Sequence, residues 1–176
     1  NSTIEAIIRK VHAFGCHTIA FAERLAHLRF LSKRVEDIPH RVVFGEKSRR
    51  FRSRTKRSFE AGRVRLIIAN RVFKKGVDIA RVDCMIDAAS YKSKDDAMQK
   101  FGRCVRLCDG KHGLLYFDIG DQQGRFVRAT KSRRAAFRKA KVPVFKYLWG
   151  GDVEDLFRFA TKKLELVLRR NEKRAA

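Results

Sequence analysis

The segment Gln99-Lys100-Phe101-Gly102-Arg103-Cys104-Val105-Arg106 holds the side chains best suited to chemistry. Its spacing, Q-x-x-G-R-x-x-R, sets Arg103 and Arg106 three residues apart, on one face if the segment is helical. Arginine stays charged and donates two hydrogen bonds in a fixed fork, which suits a polyphosphate. Two such groups on one face are what neutralising the charge of phosphoryl transfer requires. Gly102 would let a phosphate or a neighbouring backbone come close. A solvated basic helix explains the same residues without chemistry. A second signal, Val72 to Ile79, directly follows an apolar run. Gly76 offers a turn there, and Asp78 a carboxylate able to accept from a ribose hydroxyl. A turn glycine and a capping aspartate are the bland reading.

Other constellations are weaker. Cys104, Cys108 and His112 have C-x3-C-x3-H spacing, but no fourth zinc ligand lies nearby and the two cysteines fall in or beside the arginine segment. His12, His17, His27 and His40 form no ligand pair. Asp118 and Asp121 fit strand-end turns better than a metal site. No metal site and no nucleophile with a base are expected.

Charge points to a partner. There are 42 Lys+Arg against 19 Asp+Glu among 176 residues, a formal net charge of +23. Such an excess attracts polyanions, nucleic acid first. One basic run comprises Lys47, Arg49, Arg50, Arg52, Arg54, Lys56 and Arg57, with Phe51 and Phe59 interleaved. A second comprises Arg125, Arg128, Lys131, Arg133, Arg134, Arg138 and Lys139. Both suit backbone phosphates, with strong salt dependence and little sequence preference. The apolar content excludes disorder. No run is long enough for a membrane helix and no secretory signal is visible, so no membrane partner is expected. Four scattered cysteines do not make a disulfide scaffold, which favours an intracellular, reducing compartment, cytoplasmic or nuclear. The absence of an initiating methionine is what a fragment or a processed chain would show.

The elements that must position these residues alternate. Ser2 and Glu5 read as a capping box opening a helix to about Phe14, closed by Gly15. His17–Phe21 reads as a strand, Glu23–Arg34 as a helix and Val42–Phe44 as a strand. Phe51, Thr55 and Phe59 mark a helix ending near Gly62, followed by an apolar strand over Val64–Ala69. Asp83–Ala88 reads as a strand, Asp95–Leu107 as a helix and Leu114–Phe117 as a strand. This alternation predicts an α/β fold with an open, mostly parallel sheet and helices on both faces. Ligands bind at the carboxyl ends of strands in such sheets, so the loops after Phe21, Phe44, Ala69 and Ala88 are the ones to watch. A basic helical extension follows from residue 121 to 176. In it, Asp152 caps a last helix with Leu156, Ala160, Leu164, Val167 and Leu168 on one face, which packs on the domain or docks a partner.

Taken in order, residues 1–120 resemble the C-terminal RecA-like lobe of superfamily 2 helicases. Thr18–Phe21 looks like motif IV, and Phe44-Gly45-Glu46-Lys47 like a strand-end H-G-D segment with Phe for His. Phe59-Glu60-Ala61-Gly62 looks like F-x-x-G, Ile68–Asn70 through Ile79 like motif V, and Gln99–Arg106 like motif VI. Gln at the head of motif VI and the run Leu114–Asp121 resemble phage and repair-type DNA helicases more than RNA helicases.

The resemblance implies that Arg103 and Arg106 act as catalytic groups, reaching the γ-phosphate of ATP held by another lobe. It implies that Gly76, Asp78 and Gln99 contact or order the nucleotide side. Asn70, in the motif V Thr position, would bind a nucleic-acid phosphate. The loops around Phe21, Ala22, Gly45, Lys47, Arg49 and Arg50 would follow the same strand. DNA, single-stranded or branched, is the favoured polymer, with RNA open. The sequence holds no G-x-x-x-x-G-K-[ST] loop and no D-E-x-[DH] box, which supply the Lys and Mg²⁺ ligand of ATP hydrolysis. ATP and Mg²⁺ would therefore sit mainly on an N-terminal RecA-like lobe, in the same or another polypeptide. The reading is a second motor lobe of an ATP-dependent helicase or translocase. Its alternatives are a non-enzymatic nucleic-acid-binding relative and a scaffold docking through its last helix.

Overall fold

The computed structural model describes residues 2–70, 81–88, 94–105, 113–120 and 126–175, without the side chains of 94, 96, 103, 126 and 167–175. The elements run α1 (Ser2–Ala13), β1 (Thr18–Phe21), α2 (Leu25–Arg34), β2 (His40–Val43), α3 (Arg49–Glu60), β3 (Leu66–Ala69), β4 (Cys84–Asp87), α4 (Lys94–Cys104), β5 (Leu115–Asp118), α5 (Phe126–Lys139) and α6 (Val153–Ala175). The expected alternation holds, with ends displaced by a few residues. β2 begins at His40 because His40–Val43 pair in register with Leu66–Ala69, leaving Phe44 to open the next turn. Ser2 is the first residue of α1, and the Glu5 carboxylate pairs with Arg9 and Arg34. The capping box is therefore not what Glu5 serves.

All five strands are parallel, in the order β2-β3-β1-β4-β5. β1 is central, and every residue of β1, β3 and β4 is buried, as a sheet covered on both faces demands. The chain moves one way along the sheet from β1 to β2, then back from β2 to β3 and from β4 to β5. Right-handed crossovers therefore place α2 on one face and α3 and α4 on the other. The core divides accordingly. Ile4, Ile7, Ile8, Leu28, Leu31 and Leu156 pack with Ala20, Ile68 and Ile86 on the face of α1, α2 and α6. Phe59 and Cys104 pack with Ile19, Phe21, Val43, Ile67 and Met85 on the face of α3 and α4.

Glycine is required where the chain turns into the central strands. Gly15 and Gly62 have φ of 78° and 72°, the left-handed region. Gly120 has another reason: a Cβ there would meet Thr130 of α5 at 2.6 Å.

The last helix settles part of its own question. The Asp152 carboxylate accepts from the Glu154 amide at 2.8 Å, the expected cap. Leu156 and Phe157 are buried, and Phe157 lies 5.8 Å from Phe14 and 5.7 Å from Phe117. Leu164 is exposed, so the stripe packs only over the first turns; the side chains of Val167 and Leu168 lie outside the described residues. No described helix is long and apolar enough to cross a membrane.

Candidate functional site

The carboxyl ends of the strands divide into two halves. Over β2, β3 and β1 lie the residues expected to follow a strand of nucleic acid. Ser48 caps α3 by accepting from the Phe51 amide at 3.1 Å, and Arg49 and Arg50 open the helix fully exposed. Lys47 is half-buried, its ammonium 5.0 Å from the Phe44 ring and 5.1 Å from the Phe51 ring. Phe44, where the family pattern has His, thus carries a cation next to exposed Gly45. Asn70 is half-buried one residue past β3, and its amide donates to the Val43 carbonyl at 3.2 Å. Phe21 and Ala22 differ from expectation: both side chains are buried, and the Phe21 carbonyl accepts from Ala88. The residues exposed just past the end of β1 are Glu23 and Arg24 instead.

Over β1, β4 and β5 stands α4. Gln99 is exposed on it, and Arg103 lies one residue before its end with a side chain outside the described residues. Arg106, Gly76 and Asp78 lie wholly outside them. So do Cys108 and His112, while Cys104 is buried in the core. The contacts that hold α4, the helix of Arg103, lie within the described residues.

Lys100 is 3% exposed, and its ammonium donates to the Asp87 carboxylate at 2.5 Å, where Asp87 is 1% exposed at the end of β4. The Tyr116 hydroxyl donates to the same oxygen at 2.8 Å, and the Lys100 ammonium sits 5.1 Å from the Phe21 ring. Burial, with the Asp87 charge beside it, pushes the Tyr116 phenol well above its usual range. In register, Phe21, Asp87 and Asp118 are neighbours across β1, β4 and β5. Arg133 of α5, 2% exposed, grips Asp118 through Nε at 3.1 Å to both oxygens and Nη2 at 2.8 Å to one. Burial raises the Asp118 pKa against the pull of that guanidinium. Arg133 is thus an internal partner and not one of the phosphate-binding cations of its basic run. Phe101 meets Tyr116 and Phe137 edge to face, and those two rings are tilted against each other at 54°.

Sequence reasoning passed over Lys100 and misassigned Arg133, yet a signal existed. Ala97, Lys100 and Cys104 share one buried stripe of α4, and Ala129, Arg133 and Phe137 one stripe of α5. A cation in a buried stripe requires a buried acid, and Asp87 ends an otherwise apolar strand. The physical result is a clamp. The Lys100–Asp87 pair fixes α4 over the carboxyl ends of β1 and β4, and Arg103 follows Lys100 by three residues. Neither strand-end carboxylate is open to a metal, because chain cations already engage both. Among the described residues, no group of three or more His, Cys, Asp or Glu could hold a metal ion. No described atom lies within 4 Å of the place a Cβ on Gly102 would take.

Comparison with known proteins bears on the family and the fold. The profile described as "Helicase conserved C-terminal domain" matches residues 2–108. The ATP-dependent RNA helicase dbp8 of Aspergillus oryzae is 30% identical over 133 residues, 76% of this chain and 27% of that protein. The pre-mRNA-splicing ATP-dependent RNA helicase PRP28 of Debaryomyces hansenii is 29% identical over 82 residues, 47% of this chain and 14% of that protein. The chain thus spans well under a third of either relative. Among solved structures, the C-terminal domain of S. cerevisiae Dbp5, bound to Gle1 and IP6, superposes with a TM-score of 0.67 at 15% identity, covering 94% of each chain. That likeness confirms the RecA-like fold. The named curated relatives are RNA helicases, so the leaning towards a DNA-helicase subgroup finds no support.

Proposed function

The chain belongs to the helicase conserved C-terminal domain family, and on that premise we propose that it is the second motor lobe of an ATP-dependent helicase acting on RNA. The single observation that carries this is the placement of α4: a buried Lys100–Asp87 pair holds the helix bearing Gln99, Gly102 and Arg103 at the carboxyl ends of a parallel sheet. That is where such sheets bind ligands. Arg103 and Arg106 reach the γ-phosphate of ATP presented by a facing N-terminal lobe and stabilise charge as the terminal phosphoryl group departs. Gly76, Asp78 and Gln99 line the same cleft. Across the sheet, Asn70, Gly45, Lys47, Arg49 and Arg50 hold backbone phosphates of a single strand. ATP closes the lobes, hydrolysis releases them, and the strand moves. Mg²⁺ is held by the other lobe. RNA is preferred over DNA because the named relatives are RNA helicases.

The decisive experiment joins this chain to an N-terminal RecA-like lobe carrying a phosphate loop. The expected result is ATP hydrolysis stimulated by RNA more than by DNA, and RNA affinity that changes when ATP is added. The chain alone binds RNA and hydrolyses nothing. The charge of +23 favours a second reading, a basic binder without motor action. ATP-independent RNA affinity in the two-lobe protein selects that reading.

Gly102→Ala separates stability from function. Removing a glycine from a helix interior stabilises by up to about 1 kcal/mol, and nothing described obstructs the added methyl. The melting temperature rises while ATPase of the two-lobe protein falls, because the methyl occupies space the nucleotide needs. Unchanged ATPase would remove Gly102 from the nucleotide side.

A further inference from the structure

A groove of about 450 Å³ lies on the side of α3 over the edge strand β2, lined by Arg41, Arg54, Arg57 and Arg63 with Phe51 and Ser58. Its position differs from that of the strand-end residues above. α3 enters from the carboxyl end of β2 and leaves toward the amino end of β3. At 1.5 Å per residue its twelve residues cover about 18 Å, most of the depth of the sheet. Arg50, Arg54 and Arg57 follow one another at i, i+4 and i+7, so they form one stripe along the helix. Arg41 points to the same face as Val43, two residues along β2. Arg63 closes the groove at the amino-end side.

The charge in this groove is uncompensated. Among the described residues, Arg41, Arg54, Arg57 and Arg63 form no ion pair. The carboxylate of Glu60 is taken by Lys56 at 3.6 Å. Elsewhere the protein does pair its arginines: Arg9 with Glu5 and Asp37, Arg34 with Glu5, Arg133 with Asp118 and Arg158 with Asp155. Four exposed guanidiniums around one concavity repel one another unless an anion enters. The partly buried Phe51 ring forms one wall. Bidentate arginines beside an aromatic ring suit a phosphodiester chain with unstacked bases.

We propose that this groove is a second nucleic-acid subsite, which receives the backbone phosphates of a single strand after it passes Arg49 and Arg50 and turns down α3 toward the amino edge of the sheet. It rests on the reading that the strand-end residues form an RNA track. The groove lengthens the footprint on this lobe and lets it keep hold of the strand when the strand-end contacts loosen.

The test compares the wild-type 176-residue chain with the triple variant Arg54→Gln, Arg57→Gln, Arg63→Gln. Each is titrated with uridine homopolymers of roughly 6 and 16 nucleotides over a series of salt concentrations. Far-UV circular dichroism verifies that the variant is folded, as exposed substitutions should leave it. For the long strand, the variant binds roughly tenfold more weakly, and the slope of log K against log salt falls by about 2, the share of three single-strand phosphate contacts. The short strand, which fills only the strand-end track, is unaffected. Lysine at the same three positions restores the slope. Equal slopes for both proteins on the long strand overturn the subsite. Equal loss on both lengths shows a diffuse charge effect and also overturns it. If inorganic tripolyphosphate binds the groove but the long strand does not depend on it, the site takes a compact polyanion and the extended track is wrong. If the wild-type chain binds neither strand, the underlying RNA reading fails first, which the variant comparison alone would not show.

Discussion

Arg106→Ala in the protein joined to its N-terminal lobe is expected to lower RNA-stimulated ATP hydrolysis by roughly 10³- to 10⁵-fold, the range an arginine finger supplies to phosphoryl transfer. At about 1.36 kcal/mol per decade this is about 4 to 7 kcal/mol of transition-state stabilisation. The effect falls on kcat, because the charge that Arg106 meets is greatest when the terminal phosphoryl group is in transit. RNA affinity stays within a few-fold, since the proposed track lies on the β2-β3-β1 half of the sheet and α4 stands over the β1-β4-β5 half. Arg106→Lys recovers little, because an ammonium cannot reproduce the planar fork. Steady-state ATPase and RNA titration of the same preparation measure both quantities. Near-normal ATPase in the Arg106→Ala protein would sink the motor-lobe proposal and leave only a cationic binder.

The second large effect is on stability. Lys100→Met removes the charged donor from the buried Asp87 carboxylate and leaves the Tyr116 hydroxyl on the same oxygen. Breaking a buried ion pair from one side costs about 3–5 kcal/mol, a large part of the about 5–15 kcal/mol that holds a domain folded. Asp87→Leu alone is as damaging, because it takes the carboxylate away from the buried Lys100 ammonium. The double variant Lys100→Met, Asp87→Leu recovers most of the loss, since an apolar pair of similar volume fills the same space among Phe21, Phe101 and Tyr116. Urea denaturation followed by circular dichroism reads all three. Single variants that lose less than about 1 kcal/mol would show the pair to be solvated. The double variant also tests the clamp: it folds, yet its α4 is held by packing alone, so ATPase in the two-lobe protein falls even where stability returns.

Much of this architecture was legible from local pattern. The apolar run Val64–Ala69 is a fully buried β3, and Ile4, Ile7, Ile8 and Val11 are the buried stripe of α1. The strand ends Val43, Ala69, Phe21 and Asp87, beside which the expected motifs begin, stand in register on one edge of one sheet. The misses share a cause. Lys100 and Arg133 read as two more cations in a chain with 42, and Phe21 and Ala22 read as loop contacts. Leu164 continues the stripe of Leu156 by spacing, yet it is exposed, because the described packing of α6 is confined to its first turns.

The sequence by itself determined the type and order of the elements, because helical and strand periodicities are written within a few residues of each other. It also determined the excess of positive charge. Tertiary structure alone decided which of those charges face water and which are spent inside. Lys100 meets Asp87 across 13 positions and Arg133 meets Asp118 across 15, and only the crossover that lays α4 on the sheet and the packing of α5 against α4 bring them together. Conversely, Arg41 and Arg63 reach the α3 groove from two different connections. A side chain's charge is local, but its partner and its solvent are properties of the packed whole.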